Sequence, residues 1–264
     1  MKTMRLRDRT ISTGNAAFVM GIVNATPDSF WGASRGGAER ALRLIDEGAD
    51  IIDIGGESTR PGSADVDEDE EIRRILPVIR AVRARSSVPI SVDTRKKTVM
   101  EAAFREGADI LNDVSALGDD GRMAAFCAET GIPVILMHGR GTPAHGFAEI
   151  DEYLRNRCGH ALKNGIKKDR IWIDPGIGFG KDADCCFALM RDCGKLCGGG
   201  YPVLMALSRK SCIGAATGRG ADERLAGTIA ADLLSVMGGA SMIRVHDVAE
   251  AVDSLSIYGR VRGL

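Results

Sequence analysis

The sequence predicts a single domain over residues 1–264: a closed parallel (β/α)8 barrel with a short β segment ahead of its first strand. Three observations predict it. Eight short β-favouring runs alternate with amphipathic stretches of helical period along the chain. The phrases Glu47-Gly48-Ala49-Asp50, Glu106-Gly107-Ala108-Asp109 and Gly238-Gly239-Ala240-Ser241 each stop a helix at glycine and enter a buried strand. Finally, 264 residues with no linker or low-complexity break suit one barrel. Eight β-then-α units in one run favour closure with right-handed crossovers; an open doubly wound sheet is the alternative.

Residues 1–13 alternate basic and apolar side chains without the hydrophobic run of a signal peptide, so a strand or hairpin lidding the domain is expected there. Strands are expected at 18–24, 50–55, 89–93 and 110–112, with helices at 38–47, 69–85, 97–106 and 122–130. The second half repeats the pattern, with strands at 133–138, 171–174, 202–208 and 242–246 and helices at 149–164, 182–196, 222–238 and 248–258. Pro175 ends the sixth strand because it cannot donate to a ladder.

Composition narrows the function. The hydrophobic share of 44% and charged share of 27% describe a soluble chain with a full core. A net charge of −1 gives no reason to expect nucleic acid or an acidic membrane as partner. Aromatics at 5% leave few platforms for base stacking. No apolar run reaches the roughly 18 residues that span a bilayer; residues 227–243 come nearest, interrupted by Asp232 and three glycines. Seven cysteines, with Cys185, Cys186, Cys193 and Cys197 crowded into one expected helix, match neither a zinc spacing nor a secreted disulfide scaffold. Reduced cytoplasmic thiols are the expectation.

A (β/α)8 barrel carries its site at the C-terminal ends of its strands. In order, the strands end at Asn24, at Gly55-Gly56-Glu57 leading into Ser58-Thr59-Arg60, at Asp93, Asn112-Asp113, Met137-His138 and Asp174, at Ser208-Arg209-Lys210-Ser211 and at Arg244-Val245-His246-Asp247. Every end delivers polar or ionisable groups to one rim. The sixth is the most telling: Asp174 is followed by Pro175 and by Gly176, Gly178 and Gly180, which let backbone turn tightly or approach a ligand. It is not a nucleotide loop, since no Ser or Thr follows Lys181 and Pro175 stands where that motif begins.

These groups sort into two sets. Asp93, Asn112, Asp174 and Lys210 face one side of the mouth, where two carboxylates and an amide can hold the donor-rich edge of a flat heterocycle. The paired carboxylates could instead serve as general acid and base. Asn24, Thr59, Arg60, Arg244 and His246 come from the first, second and eighth strands, which adjoin in a closed barrel. Two arginines, a histidine and short polar side chains suit an anion such as phosphate. His246 reads better as an anion donor than as a metal ligand, because no second histidine stands at ligand spacing.

Over nearly its whole length the sequence resembles dihydropteroate synthase. The resemblance lies in residues 20–30, Met-Gly-Ile-Val-Asn-Ala-Thr-Pro-Asp-Ser-Phe, and in Gly56-Glu57-Ser58-Thr59-Arg60-Pro61-Gly62. It continues in Ser91-Val92-Asp93-Thr94, Asn112-Asp113-Val114, residues 174–181, Ser208-Arg209-Lys210-Ser211 and Arg244-Val245-His246-Asp247. The family condenses 6-hydroxymethyl-7,8-dihydropterin diphosphate with p-aminobenzoate, releasing diphosphate and 7,8-dihydropteroate for folate synthesis.

The resemblance implies a pterin pocket of Asp93, Asn112, Met137, Asp174, Phe179 and Lys210, with Arg244 stacked on the ring. It implies Mg²⁺ at Asn24, held with a diphosphate gripped by Thr59, Arg60, Arg244 and His246. Phe30, Arg60, Pro61, Ser208 and Lys210 would form the p-aminobenzoate pocket. Asp93, Asp174, Lys210, Arg244 and His246 would act on the reacting groups, sulfonamides would compete with p-aminobenzoate, and the protein would be a cytoplasmic homodimer. The chain departs from the family pattern at Trp31-Gly32, where Asp-Gly is usual, at Cys186, where Asn is usual, and at Ala206, where Gly is usual. Three rivals stand beside this reading: a pterin-binding methyltransferase-type domain, a catalytically silent pterin-binding paralogue, and a Schiff-base aldolase using Lys210.

Overall fold

The computed structural model describes residues 1–25, 37–57, 65–118, 121–139, 144 and 146–263. A hairpin of β1 (Thr3–Arg5) and β2 (Thr10–Ser12) leads into eight parallel strands. The first four are β3 (Phe18–Asn24), β4 (Ile51–Gly55), β5 (Ile90–Asp93) and β6 (Ile110–Asp113). The last four are β7 (Val134–Met137), β8 (Ile171–Asp174), β9 (Leu204–Met205) and β10 (Met242–Val245). Each strand pairs with its neighbour in sequence, except that β8 meets β9 through the bridge Ile173↔Val203. β10 returns to β3 with Met242 opposite Phe18, so the sheet closes into the expected TIM barrel.

Helices cover the outside. They are α1 (Gly37–Asp46), α2 (Glu68–Arg83), α3 (Lys97–Arg105), α4 (Gly121–Thr130) and α5 (Phe147–Lys163), then α6 (Ala183–Asp192), α7 (Ser211–Thr217), α8 (Leu225–Met237) and α9 (Val248–Arg262). Strands buried on both faces need apolar residues at successive positions, and Ile51-Ile52 or Val134-Ile135-Leu136 supply them. Alternate residues divide the core in two. Val19, Ile52, Ile54, Val92, Leu111, Leu136 and Ile173 pack outward in the same cluster as the helices. Phe18, Met20, Ile51, Ile110, Ile135, Trp172, Leu204 and Met242 fill the barrel interior, where Phe18 meets Trp172 edge-on at 6.1 Å. The leading hairpin plugs this interior with Met4 and Leu6, both fully buried. The lid expected at residues 1–13 therefore closes the N-terminal end of the barrel, leaving the other end for a site.

Four elements differ from expectation, one of them α9, which runs to Arg262 where the helix is expected to end at 258. The strand expected at 202–208 shrinks to Leu204–Met205, since Pro202 has no N–H and offers only its carbonyl, which accepts from Ile173 N at 3.1 Å. The helix expected at 182–196 stops at Asp192. Beyond it Gly194 lies against the Gly238–Gly239 backbone, where an added Cβ would come within 2.9 Å of the Gly238 carbonyl oxygen, and Cys197 turns to φ 51°. Cys193 and Cys197 thus leave the helix that carries Cys185 and Cys186. The helix expected at 222–238 begins at Leu225, and α7, a short extra helix after β9, precedes it.

Candidate active site

The alternation that buries Ile51, Ile110, Ile135, Trp172, Leu204 and Met242 inside the barrel also decides what reaches its mouth. Two residues further along the same faces stand Asp53, Asn112, Met137, Asp174, Ala206 and Arg244, with Ser208 and His246 one step beyond. Asp93 ends β5 beside them. The structure therefore brings together Asp93, Asn112, Met137, Asp174, Lys210, Arg244, Ser208 and His246 at one rim.

Arg244 crosses the centre. Its Nε donates to Asp53 Oδ2 at 2.6 Å and its Nη2 to Asp93 Oδ2 at 2.8 Å, while Asn112 Nδ2 donates to Asp53 Oδ2 at 3.2 Å. The arginine assigned to both ring and diphosphate is thus held by two carboxylates. Asp53 is fully buried, Asp93 and Asn112 nearly so. Among the described residues, Asp53 Oδ1, Asp93 Oδ1, Asn112 Oδ1 and Ser91 Oγ have no hydrogen-bond partner. Unpaired buried acceptors are costly, of order 1–3 kcal/mol each, so a row of them asks for a ligand that brings donors. Burial pushes the Asp93 carboxyl up to about 7, against the pull of Arg244, with the charges of Asp53, Glu71 and Asp113 adding to the rise.

Asp53 was not foreseen as a site residue. Its signal was present: an acid inside Ile51-Ile52-Asp53-Ile54 falls, by the period of two, on the face of Ile51 and so inside the barrel. Asp113, next to Asn112 in the chain, points away from the mouth. Asp113 accepts from Ser115 N at 2.8 Å and Leu117 N at 2.7 Å, shaping the turn after β6 while Asn112 faces the mouth.

On the β8 side, Asp174 Oδ1 accepts from Gly176 N at 2.7 Å; burial raises this carboxyl, opposed by the charge of Lys210. Gly176 has φ 68°, and an added Cβ would lie 1.8 Å from the His138 carbonyl oxygen, so only glycine makes this turn. Lys181 fastens the loop from within, donating to the carbonyls of Gly176 at 2.8 Å and Phe179 at 3.0 Å and meeting His138 Nδ1 at 3.0 Å. Burial lowers Lys181 to about 8. Lys210 donates to the Ile177 carbonyl with its ammonium 5.0 Å above the Phe179 ring, and Met137 is buried nearby on β7.

On the β10 side, His246 Nδ1 lies 2.9 Å from Ser208 Oγ, and the His246 backbone N–H donates to the same oxygen at 3.2 Å. Burial, then the charge of Arg244, lower His246 to about 3, so the ring is neutral at pH 7. Ser208 therefore serves His246, a contact the p-aminobenzoate assignment did not include. The carbonyl of His246 accepts from the buried Arg40 of α1. Arg209 turns away: it grips Asp247 at 2.9 and 3.0 Å and the Asp222 carbonyl at 2.8 Å. Asn24 ends β3, opposite Gly55, half-buried at the rim. Phe30, Thr59, Arg60 and Pro61, with Trp31 and Gly32, lie outside the described residues. The segment after β4 is anchored where it is described, by Lys96 on Glu57, on Glu71 at 2.7 Å and on the Val66 carbonyl at 2.6 Å.

Acceptors without donors along one wall, a cation above an aromatic ring and a neutral histidine across the mouth fit a flat, donor-rich heterocycle. The family described as pterin binding enzyme matches residues 20–246, which makes this barrel a pterin binding enzyme. Within that class, the dihydropteroate synthase of Escherichia coli (strain K12) is 41% identical over 256 residues, covering 90% of this chain and 89% of its own. The dihydropteroate synthase of Xanthomonas albilineans, solved with 4-aminobenzoic acid, superposes with a TM-score of 0.92 at 43% identity over 100% of this chain and 99% of its own. It has also been solved with 7,8-dihydropteroate, at a TM-score of 0.89, 40% identity and 99% coverage of both chains. The Yersinia pestis enzyme with a sulfonamide drug gives 0.92 at 35% identity, covering 99% of this chain and 100% of its own. The chain belongs to the dihydropteroate synthase family.

Proposed function

We infer that the mouth of this barrel performs the family's reaction, joining 6-hydroxymethyl-7,8-dihydropterin diphosphate to p-aminobenzoate with release of diphosphate and 7,8-dihydropteroate. The observation that carries the reading is the row of unpaired buried acceptors on Asp53, Asp93 and Asn112. The N–H groups of a pterin edge would satisfy them, with Asp174 accepting from the other end of the ring and Met137 and Phe179 against its faces. Lys210 is kept close to that ring by the Ile177 carbonyl and Phe179.

As the C–O bond to diphosphate breaks, the methylene left behind is a cation conjugated with the electron-rich pterin. The buried carboxylates stabilise it electrostatically. The arylamine, already neutral at pH 7, attacks that carbon and loses a proton, with no covalent enzyme intermediate. Across the mouth, His246 is oriented by Ser208 so that Nε2 is left for the leaving anion, with Asn24, Thr59, Arg60 and Arg244 assigned to the same anion.

Among the described residues no three His, Cys, Asp or Glu side chains could hold a metal. A single amide oxygen on Asn24 still fits Mg²⁺, which keeps most of its waters and takes substrate phosphate oxygens as ligands. Bound there, Mg²⁺ would supply positive charge to the leaving diphosphate. The p-aminobenzoate pocket is assigned to Phe30, Arg60, Pro61, Ser208 and Lys210, and sulfonamides, as mimics of that substrate, would take the same place. We further infer a homodimer, supported by Leu234 and Met237 of α8 and Ile257 and Val261 of α9, which adjacent helices leave exposed. A sedimentation mass of one chain would remove it. No helix among the described residues is long and apolar enough to cross a membrane. Seven free thiols support the cytoplasm as the compartment.

The test is direct. Mixed with the pterin diphosphate, labelled p-aminobenzoate and Mg²⁺, the protein should yield labelled dihydropteroate, and a sulfonamide should compete with the label. p-Aminobenzoate should bind only after the pterin diphosphate. A folded chain that binds pterin yet forms no product would be a silent paralogue instead.

A pH dependence follows from Asp93. Its carboxylate is the form that accepts pterin N–H groups, and with the carboxyl raised to about 7 that form is lost as pH falls through neutrality. Pterin affinity measured by calorimetry should fall about tenfold from about pH 8 to about pH 6. In Asp93→Asn the same titration should be flat; an equal slope in the variant would place the titrating group elsewhere.

A further inference from the structure

Seven buried thiols are free, and four of them stand in two contacting pairs. Cys158 of α5 hydrogen-bonds Cys197, just ahead of β9 and so at the end of the barrel away from the mouth. Cys186 of α6 hydrogen-bonds Cys212 in the first turn of α7. The second pair sits directly behind the pterin wall. Cys186 receives the Gly178 backbone N–H and lies in the fields of Lys210 and Lys181. Cys212 is two residues beyond Lys210, whose carbonyl accepts from Ile213 N at 3.1 Å to open the same turn. Gly178 in turn touches the Lys210 stem, where an added Cβ would meet Cδ at 3.2 Å. The two sulfurs differ in character. The hydrogen bond from Cys212, aided by Gly178 and the two lysines against burial, lowers Cys186 to about 6, while that bond and burial push Cys212 up.

We propose that Cys186 and Cys212 form a modification site: a dithiol that hydrogen peroxide oxidises to a disulfide, disabling the pterin pocket until a thiol reductant restores it. The Cys186 thiolate attacks a peroxide oxygen; the S–O bond forms, the O–O bond breaks, and hydroxide leaves and takes up a proton as water. Cys212 then attacks the sulfenic sulfur; the S–S bond forms, the S–O bond breaks, and a second water carries off the Cys212 proton. Two thiols are oxidised and one peroxide is reduced.

The effect on the site rests on the reading of Lys210 as a pterin-pocket residue. The cross-link, which needs both sulfurs, draws the first turn of α7, with Lys210 at its head, toward α6. Displacements near 1 Å at a site cost up to roughly a hundredfold in activity.

The experiment exposes the reduced protein to hydrogen peroxide, blocks remaining thiols with iodoacetamide and maps disulfides by mass spectrometry, while calorimetry follows pterin affinity. The expected result is a 186–212 cross-link together with at least a roughly tenfold loss of pterin affinity and activity, both reversed by dithiothreitol. Cys212→Ser should bind pterin when reduced and keep that affinity after peroxide. Cys158→Ser should lose affinity as the parent does, because its pair lies at the other end of the barrel. Absence of the 186–212 cross-link in inactivated protein, an equal loss in Cys212→Ser, or a cross-link that leaves pterin affinity unchanged would each overturn the proposal. Reduced Lys210→Met is measured separately: unchanged affinity there defeats the pocket reading, whatever the cross-link does.

Discussion

Replacing Arg244 with methionine should destabilise the folded chain by about 3–5 kcal/mol, the cost of removing one partner from a buried charge network. The guanidinium joins Asp53, fully buried, to Asp93 at the centre of the mouth. Without it two carboxylates face each other across the space that Arg244 filled, and at least one must take up a proton at neutral pH. The urea midpoint should fall accordingly, and it should recover in part when Asp53→Asn is added, because the second change removes one of the stranded charges. A loss below about 1 kcal/mol, or a double variant no more stable than the single, would show that the network is not what holds the centre together.

Asp174→Asn should lower pterin affinity about thirtyfold, near 2 kcal/mol, while leaving the fold intact. The amide oxygen of asparagine can still accept the Gly176 N–H that Asp174 Oδ1 holds at 2.7 Å, so the turn into the glycine loop survives. What is lost is the charge facing Lys210 and the incoming ring. Calorimetry that finds unchanged affinity in a folded variant would take Asp174 out of the site.

Much of this is legible in the sequence, for physical reasons. Strands buried on both faces are mostly apolar until they leave the core, so Asp93, Asn112, Asp174 and His246, at or just past strand ends, announce the mouth by position. The hairpin lid was readable as alternation, though not the end of the barrel it would close. Other features depend on distance in the chain rather than on local pattern. Arg244 finds Asp53 across 191 residues, and no spacing rule links them. Asp53 itself hides in an apolar run, where only its parity with Ile51 places it inside. The break after Asp192 comes from Gly194 fitting against Gly238–Gly239, a contact between separate helical units. The truncation of the seventh barrel strand was partly visible in Pro202, but the extra helix α7 was not.

The joint between β8 and β9 has a consequence for the nascent chain. As synthesis proceeds, β3 to β8 can each pair with the strand just made, giving an open six-stranded sheet with bare edges on β3 and β8. Unpaired edges invite other chains to add on. β10 later shields β3 along four residues, Met242 to Val245, whereas β8, among the described residues, gains only the bridge at Val203. One edge is therefore sealed firmly and the other barely, and the weak one borders Asp174 and Lys210. Backbone amides at 203–205 should exchange with solvent deuterium well before those of β3 and β4, so the wall that grips the pterin is also where the barrel first comes apart.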